Sequence, residues 1–172
     1  IAEVVERHGG RVFADEIHAP LVLDDIAHVP YASVSEAAAS HALTAFAASK
    51  AFNLPALKAA ALITSNPADL ARWNALGPLA GHGASVMGLV AGAVALDDGR
   101  DWLSQMVAYL RENRDRVMSA VASIDRARAV ASQATYLQWI DLSDALAGEG
   151  PTAAELCAAS GLLVNDGPAF GG

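Results

Sequence analysis

The chain has 172 residues, of which 53% are hydrophobic and 17% charged, with a formal net charge of -8 at pH 7. That length holds one good-sized core or two small ones, and no tract has the composition of a disordered segment. A negative balance without a Lys/Arg cluster argues against a nucleic-acid partner, and no apolar run reaches the ~18 residues a membrane span needs.

In chain order, residues 1–8 place apolar and charged positions at helical spacing, and Gly9-Gly10 stops them. "RVFADEI" (11–17) follows as a short apolar strand. Residues 18–34 carry prolines and turn formers and read as a loop. "HALTAFAAS" (41–49) and "KAAALITS" (58–65) read as two more buried strands, with His41 facing solvent. Asn66 is a plausible N-cap for the next helix, with Pro67 at its first position. Residues 83–96 form an apolar helix, preceded by His82 at the helix start, and "DDGR" breaks it from an amphipathic helix over 101–123. "RARAVA" and "TYLQWIDL" read as strands, with Tyr136 and Trp139 in the core of a small domain. Residues 152–161 form a helix stopped by Gly161, and "LLVND" is a last short strand. Helix, turn and buried strand in series point to an α/β architecture. A soft boundary falls near Asp97. Both ends look cut, as in an internal piece of a longer protein.

Cys157 is the only cysteine, so no disulfide framework exists within the chain. Its expected role is that of a small buried apolar residue, and the expected setting is cytoplasmic. The nine arginines supply the ordinary positive charge. The two lysines, Lys50 and Lys58, are the only formal charges between Ala37 and Ala68. Lys50 lies just past the end of a buried strand, where ligand sites of α/β proteins gather. Two readings fit it. A lysine can snorkel its ammonium to solvent. In an apolar pocket, desolvation instead favours the neutral amine, which can attack a carbonyl carbon.

Asp15 ends the first strand, on the same edge of the sheet as Lys50, and is followed by Glu16, Ile17 and His18. This cluster reads as a polar strand end with a turn cap. A metal site from Asp15, Glu16 and His18 is a weaker alternative, because no second cluster supplies the remaining ligands. An acid and a lysine on one sheet edge also meet the needs of pyridoxal phosphate. That cofactor takes a lysine in Schiff-base linkage and a carboxylate beside its pyridine nitrogen.

Together, "VFADEIHAPLVL", "HVPYASV", "TAFAASKAFNLPALKAAALITSNP", "ATYLQWIDL" and "NDGPAFGG" resemble fold-type I pyridoxal-phosphate enzymes of aminotransferase class I/II. The closer resemblance is to the MalY/PatB-like cystathionine β-lyase group. It implies a three-layer α/β/α large-domain part over residues 1–96, in a mainly parallel sheet, and part of a small α+β domain over 97–172. It implies that Lys50 is the catalytic lysine and that Asp15 pairs with the pyridine nitrogen. His18 would lie near the ring's 3-oxygen, and Lys58, with Ser49, would hold the cofactor phosphate. Ala47 departs from the Ser or Thr that family members often place three residues before the lysine. The implied activity is C–S β-lysis of a small amino-acid substrate to thiol, pyruvate and ammonia, in a homodimer. Amino transfer is the alternative reaction. A regulatory binding protein or an inactive remnant of the same fold is the alternative of another class.

Overall fold

The computed structural model of the chain describes residues 1–148 and 150–171. They form two compact units. The first comprises 1–111 with 133–135, and the second 112–132 with 136–172, so the division falls inside a long helix, after Arg111.

The first unit is α/β. A short helix α1 (Ala2–Arg7) ends at the positive-φ Gly9, and strand β1 (Val12–Asp15) follows. A loop with one 3-10 turn (Tyr31–Ser33) leads to α2 (Glu36–His41), then β2 (Ala42–Phe46) and β3 (Ala61–Thr64). β1 pairs with β2 in parallel, Asp15 opposite Ala45, whereas β2 pairs with β3 antiparallel. The mainly parallel sheet expected from the resemblance is therefore one parallel and one antiparallel pair here. Burial is also less than expected. The largest fully buried side chains are Leu21 and Leu23, joined by the alanines around β2. β1 alternates half-buried and exposed positions, and β3 is mostly exposed.

α2 was not evident in the sequence. Ser35 caps it, its hydroxyl accepting from the Ala38 N–H at 3.1 Å. His41, expected at the surface, is instead buried, with its Nε2 2.8 Å from the Tyr31 hydroxyl. A buried imidazole needs a polar partner, and the 3-10 turn delivers one.

α3 (Pro67–Ala75) starts as its sequence predicts, the Asn66 side chain accepting from the Asp69 N–H at 2.9 Å. The same Asn66 donates to the Ser40 carbonyl (3.0 Å) and to the Asp69 carboxylate (2.6 Å). Asp69 is buried and also meets Arg11 and Arg72. The Asn66 amide first, and then the Arg11 guanidinium, hold its carboxyl below its ordinary 3.8. A depressed native pKa adds stability above the unfolded pKa and loses it as pH falls through the native one. Asp69→Asn should therefore be less stable than wild type near neutrality, and the gap should close as pH drops below about 4. Urea midpoints taken from pH 7 to pH 3 measure this. A gap that stays constant over that range would remove the charge from the explanation.

α4 (Val86–Asp98) is capped by Ser85 and ends at Gly99, before α5 (Arg100–Ala122). His82 does not start α4; it closes the 3-10 turn Pro78–Gly81. No helix among the described residues is long and apolar enough to cross a membrane.

The second unit holds the end of α5, a minimal antiparallel pair β4 (Arg128–Ala129) and β5 (Ile140–Asp141), and α6 (Ala153–Ala159). Thr152 and Glu155 cap α6 reciprocally. "LLVND", read as a strand, forms none. Tyr136 and Trp139, read as core, are 46% and 61% exposed, although Trp139 meets Phe170 edge-on at 5.9 Å. Cys157 is half-buried rather than buried.

Candidate active site

The carboxyl ends of β1 and β2 carry the residues singled out from the sequence. Pairing continues one residue beyond β1, where the Glu16 N–H donates to the Ala45 carbonyl at 2.9 Å. Asp15 thus stands at the last rung of a parallel ladder. Its side chain accepts from the Ile17 N–H at 3.2 Å, closing a local turn. Asp15 is exposed within this chain.

Glu16 turns away from Asp15. Its carboxylate accepts from the Tyr31 N–H at 2.7 Å and lies 3.2 Å from His28 Nε2. His18 Nδ1 lies 2.7 Å from the Thr135 hydroxyl. Asp15, Glu16 and His18 each face different partners, and among the described residues no three His, Cys, Asp or Glu side chains converge on a metal-sized site.

Past β2 the backbone coils into a single tight turn. The Phe52 N–H donates to the Ala48 carbonyl (3.0 Å) and the Leu54 N–H to the Ser49 carbonyl (2.9 Å). Ala47, Ala48 and Ala51 are buried and pin the turn to the body of the unit. Lys50 projects from it and is exposed, so the desolvating pocket considered above is not formed by these residues alone. Lys58 ends the 3-10 turn Pro55–Leu57 with φ 48° and ψ 62°, in the left-handed region. Its carbonyl accepts from the Ser85 N–H at 3.1 Å, which ties the loop to the start of α4. That approach is close. A Cβ on Gly88 would lie 2.3 Å from the Leu57 carbonyl oxygen and 2.8 Å from the Ala59 Cβ.

Ser49 and Lys58 line one concavity of about 500 Å³, together with Ile17, Ala45, Trp73 and Gly81. Lys50, Asp15 and His18 stand outside that lining. Neither lysine side chain has a hydrogen bond or ion pair among the described residues. Two side chains beside these residues escaped the sequence reading. Trp73, on α3, carries no local signal that it lines the same concavity as Lys58. Thr135 belongs to the "ATYL" stretch that helped carry the resemblance, but its contact with His18 joins positions 117 apart in sequence.

Residues 1–169 match the family model for aminotransferase class I and II. A cystathionine beta-lyase from Corynebacterium glutamicum is 34% identical over 173 residues, covering 100% of this chain and 46% of that protein. Protein MalY from Escherichia coli is 35% identical over 147 residues, covering 83% and 36%. The crystal structure of a candidate PLP-dependent beta-cystathionase from Corynebacterium diphtheriae superposes with a TM-score of 0.89 at 42% identity, covering 99% of this chain and 45% of that one. The chain thus spans less than half the length of these relatives. With nearly its whole length matched by the family model and the sheet end built as described, the chain belongs to the aminotransferase class I and II family.

Proposed function

We propose that this chain is the lysine-bearing part of a pyridoxal-phosphate C–S β-lyase, acting on cystathionine or a similar cysteine S-conjugate. One observation carries the reading. Lys50 sits on a pinned turn at the end of β2, Asp15 ends the neighbouring parallel strand, and Lys58 shares a concavity with Ser49. The residues fit the cofactor. Two amines without acidic partners among the described residues suit an aldehyde and a phosphate, and a strand-end carboxylate suits a pyridinium nitrogen. The names of the relatives favour the lyase over the aminotransferase.

In this reading Lys50 would hold the cofactor by its aldehyde carbon and would serve as the general base for the substrate Cα proton. Asp15 would keep a proton on the pyridine nitrogen. Lys58 supplies a point charge to the phosphate and Ser49 a hydroxyl. His18 would offer a ring nitrogen to the 3-oxygen. The bound cofactor supplies an electron-accepting ring that makes the Cα proton acidic. Loss of a thiolate from Cβ, which takes up a proton as thiol, and hydrolysis of the remaining three-carbon unit by one water would then give pyruvate and ammonia. Residues 1–96 would be the second half of the cofactor-binding large domain and 97–172 part of the small one, in a cytoplasmic homodimer.

The test supplies the whole protein with cystathionine and, separately, with a keto acid plus an amino acid lacking a β leaving group. Pyruvate and thiol from the first, with negligible amino transfer in the second, is the expected result. The reverse pattern would make the protein an aminotransferase. A protein that takes up no pyridoxal phosphate would be a binding module or remnant of the fold.

A further inference from the structure

Thr135 has φ 66°, a left-handed conformation that a β-branched residue rarely adopts. Such strain costs on its own and persists where surrounding bonds over-determine it. Here they do. The Thr135 N–H donates to the Leu21 carbonyl at 2.7 Å, the Leu23 N–H donates to the Gln133 carbonyl at 2.8 Å, and Val22 bridges Ala134. Leu21 and Leu23 are the largest fully buried side chains. Segment 133–135 is thereby clamped onto the loop that leaves β1. A glycine would meet this backbone geometry without strain. What glycine lacks is the hydroxyl, and that hydroxyl lies 2.7 Å from His18 Nδ1.

We propose that Thr135 is a positioning residue: its hydroxyl sets the ring orientation and protonation pattern of His18, and the strained backbone is what places the hydroxyl there. A hydrogen bond at Nδ1 decides which ring nitrogen carries the proton of a neutral imidazole, and so what Nε2 offers to a ligand. The consequence for cofactor binding rests on the function proposed above; the consequence for His18 does not.

Three proteins test this: the whole protein as wild type, Thr135→Ser and Thr135→Gly. Each is melted, examined by nitrogen NMR of the histidine rings, and titrated with pyridoxal phosphate. Thr135→Gly should melt at or above wild type, because the strain is gone. It should nevertheless shift the His18 ring-nitrogen signals and weaken pyridoxal-phosphate binding by about 2–10-fold, the loss of one hydrogen bond. Thr135→Ser should keep the wild-type ring signals and bind within about twofold of wild type. His18 signals that are the same in all three proteins would overturn the proposal. So would a Thr135→Ser protein as impaired as Thr135→Gly, or a Thr135→Gly protein that melts well below wild type. If wild type takes up no pyridoxal phosphate, the functional reading fails, and the NMR comparison still decides the role of Thr135.

Discussion

Gly88→Ala should destabilise the protein, even though alanine is the better helix former. Position 88 lies in the first turn of α4 and is buried. Replacing glycine by alanine in a helix normally gains about 0.5–1 kcal/mol. Here the new Cβ would meet the Leu57 carbonyl oxygen at 2.3 Å and the Ala59 Cβ at 2.8 Å. Backbone cannot swing aside as a side-chain tip can, so α4 or the 57–59 loop must move. Overpacking of this kind costs about 1–3 kcal/mol, which exceeds the propensity gain. Gly92→Ala is the control. Its Cβ would meet only the Ala48 Cβ at 3.9 Å, an ordinary contact, so the propensity gain should survive. Urea denaturation of both variants measures the contrast. A Gly88→Ala protein as stable as Gly92→Ala would show that the loop yields freely. If the 57–59 loop is what moves, Lys58 moves with it, and under the proposed function the same substitution should also weaken phosphate binding.

Local signals in the sequence were reliable where the structure is local. Asn66 and Pro67 start α3, and Gly99 separates α4 from α5, because caps and breakers act within a few residues. The Asp15 strand end was legible for the same reason, whereas β2 stops at Phe46 rather than at Ser49, because the apolar Ala47–Ala48 pair is buried in a turn and not in a ladder. The strands of the second unit were not. "RARAVA" and "TYLQWIDL" have strand-like alternation, yet each pairs over only two residues. Strand formation depends on a partner and a buried face more than on the residue itself. The exposure of Tyr136 and Trp139 follows from that missing face. His41 escaped because its partner Tyr31 arrives through a 3-10 turn, and Thr135 because its clamp joins positions more than a hundred residues apart. The resemblance brought those distant residues into one family before any contact was visible. It did not reveal which of them touch.

Lys50→Ala should leave a folded protein with almost no turnover. The side chain is exposed and engages no partner among the described residues, so removing it costs little stability. The turn beneath it is held by Ala48 and Ala51, which the substitution leaves in place. Under the proposed function, a positioned general base contributes about 10²–10⁴-fold to a proton transfer, and loss of the covalent tether to the cofactor adds to that. Turnover of cystathionine should therefore fall by at least that factor, while the melting temperature stays near wild type.

The most direct measurement is chemical. Borohydride reduction of the whole protein loaded with pyridoxal phosphate fixes the cofactor carbon permanently to the lysine that binds it. Digestion and mass mapping then locate the modified residue, and the chain has only two lysines, eight positions apart. The modification should appear on Lys50 alone and be lost in Lys50→Ala. A label on Lys58, or no label on either lysine, would contradict the assignment of the candidate site.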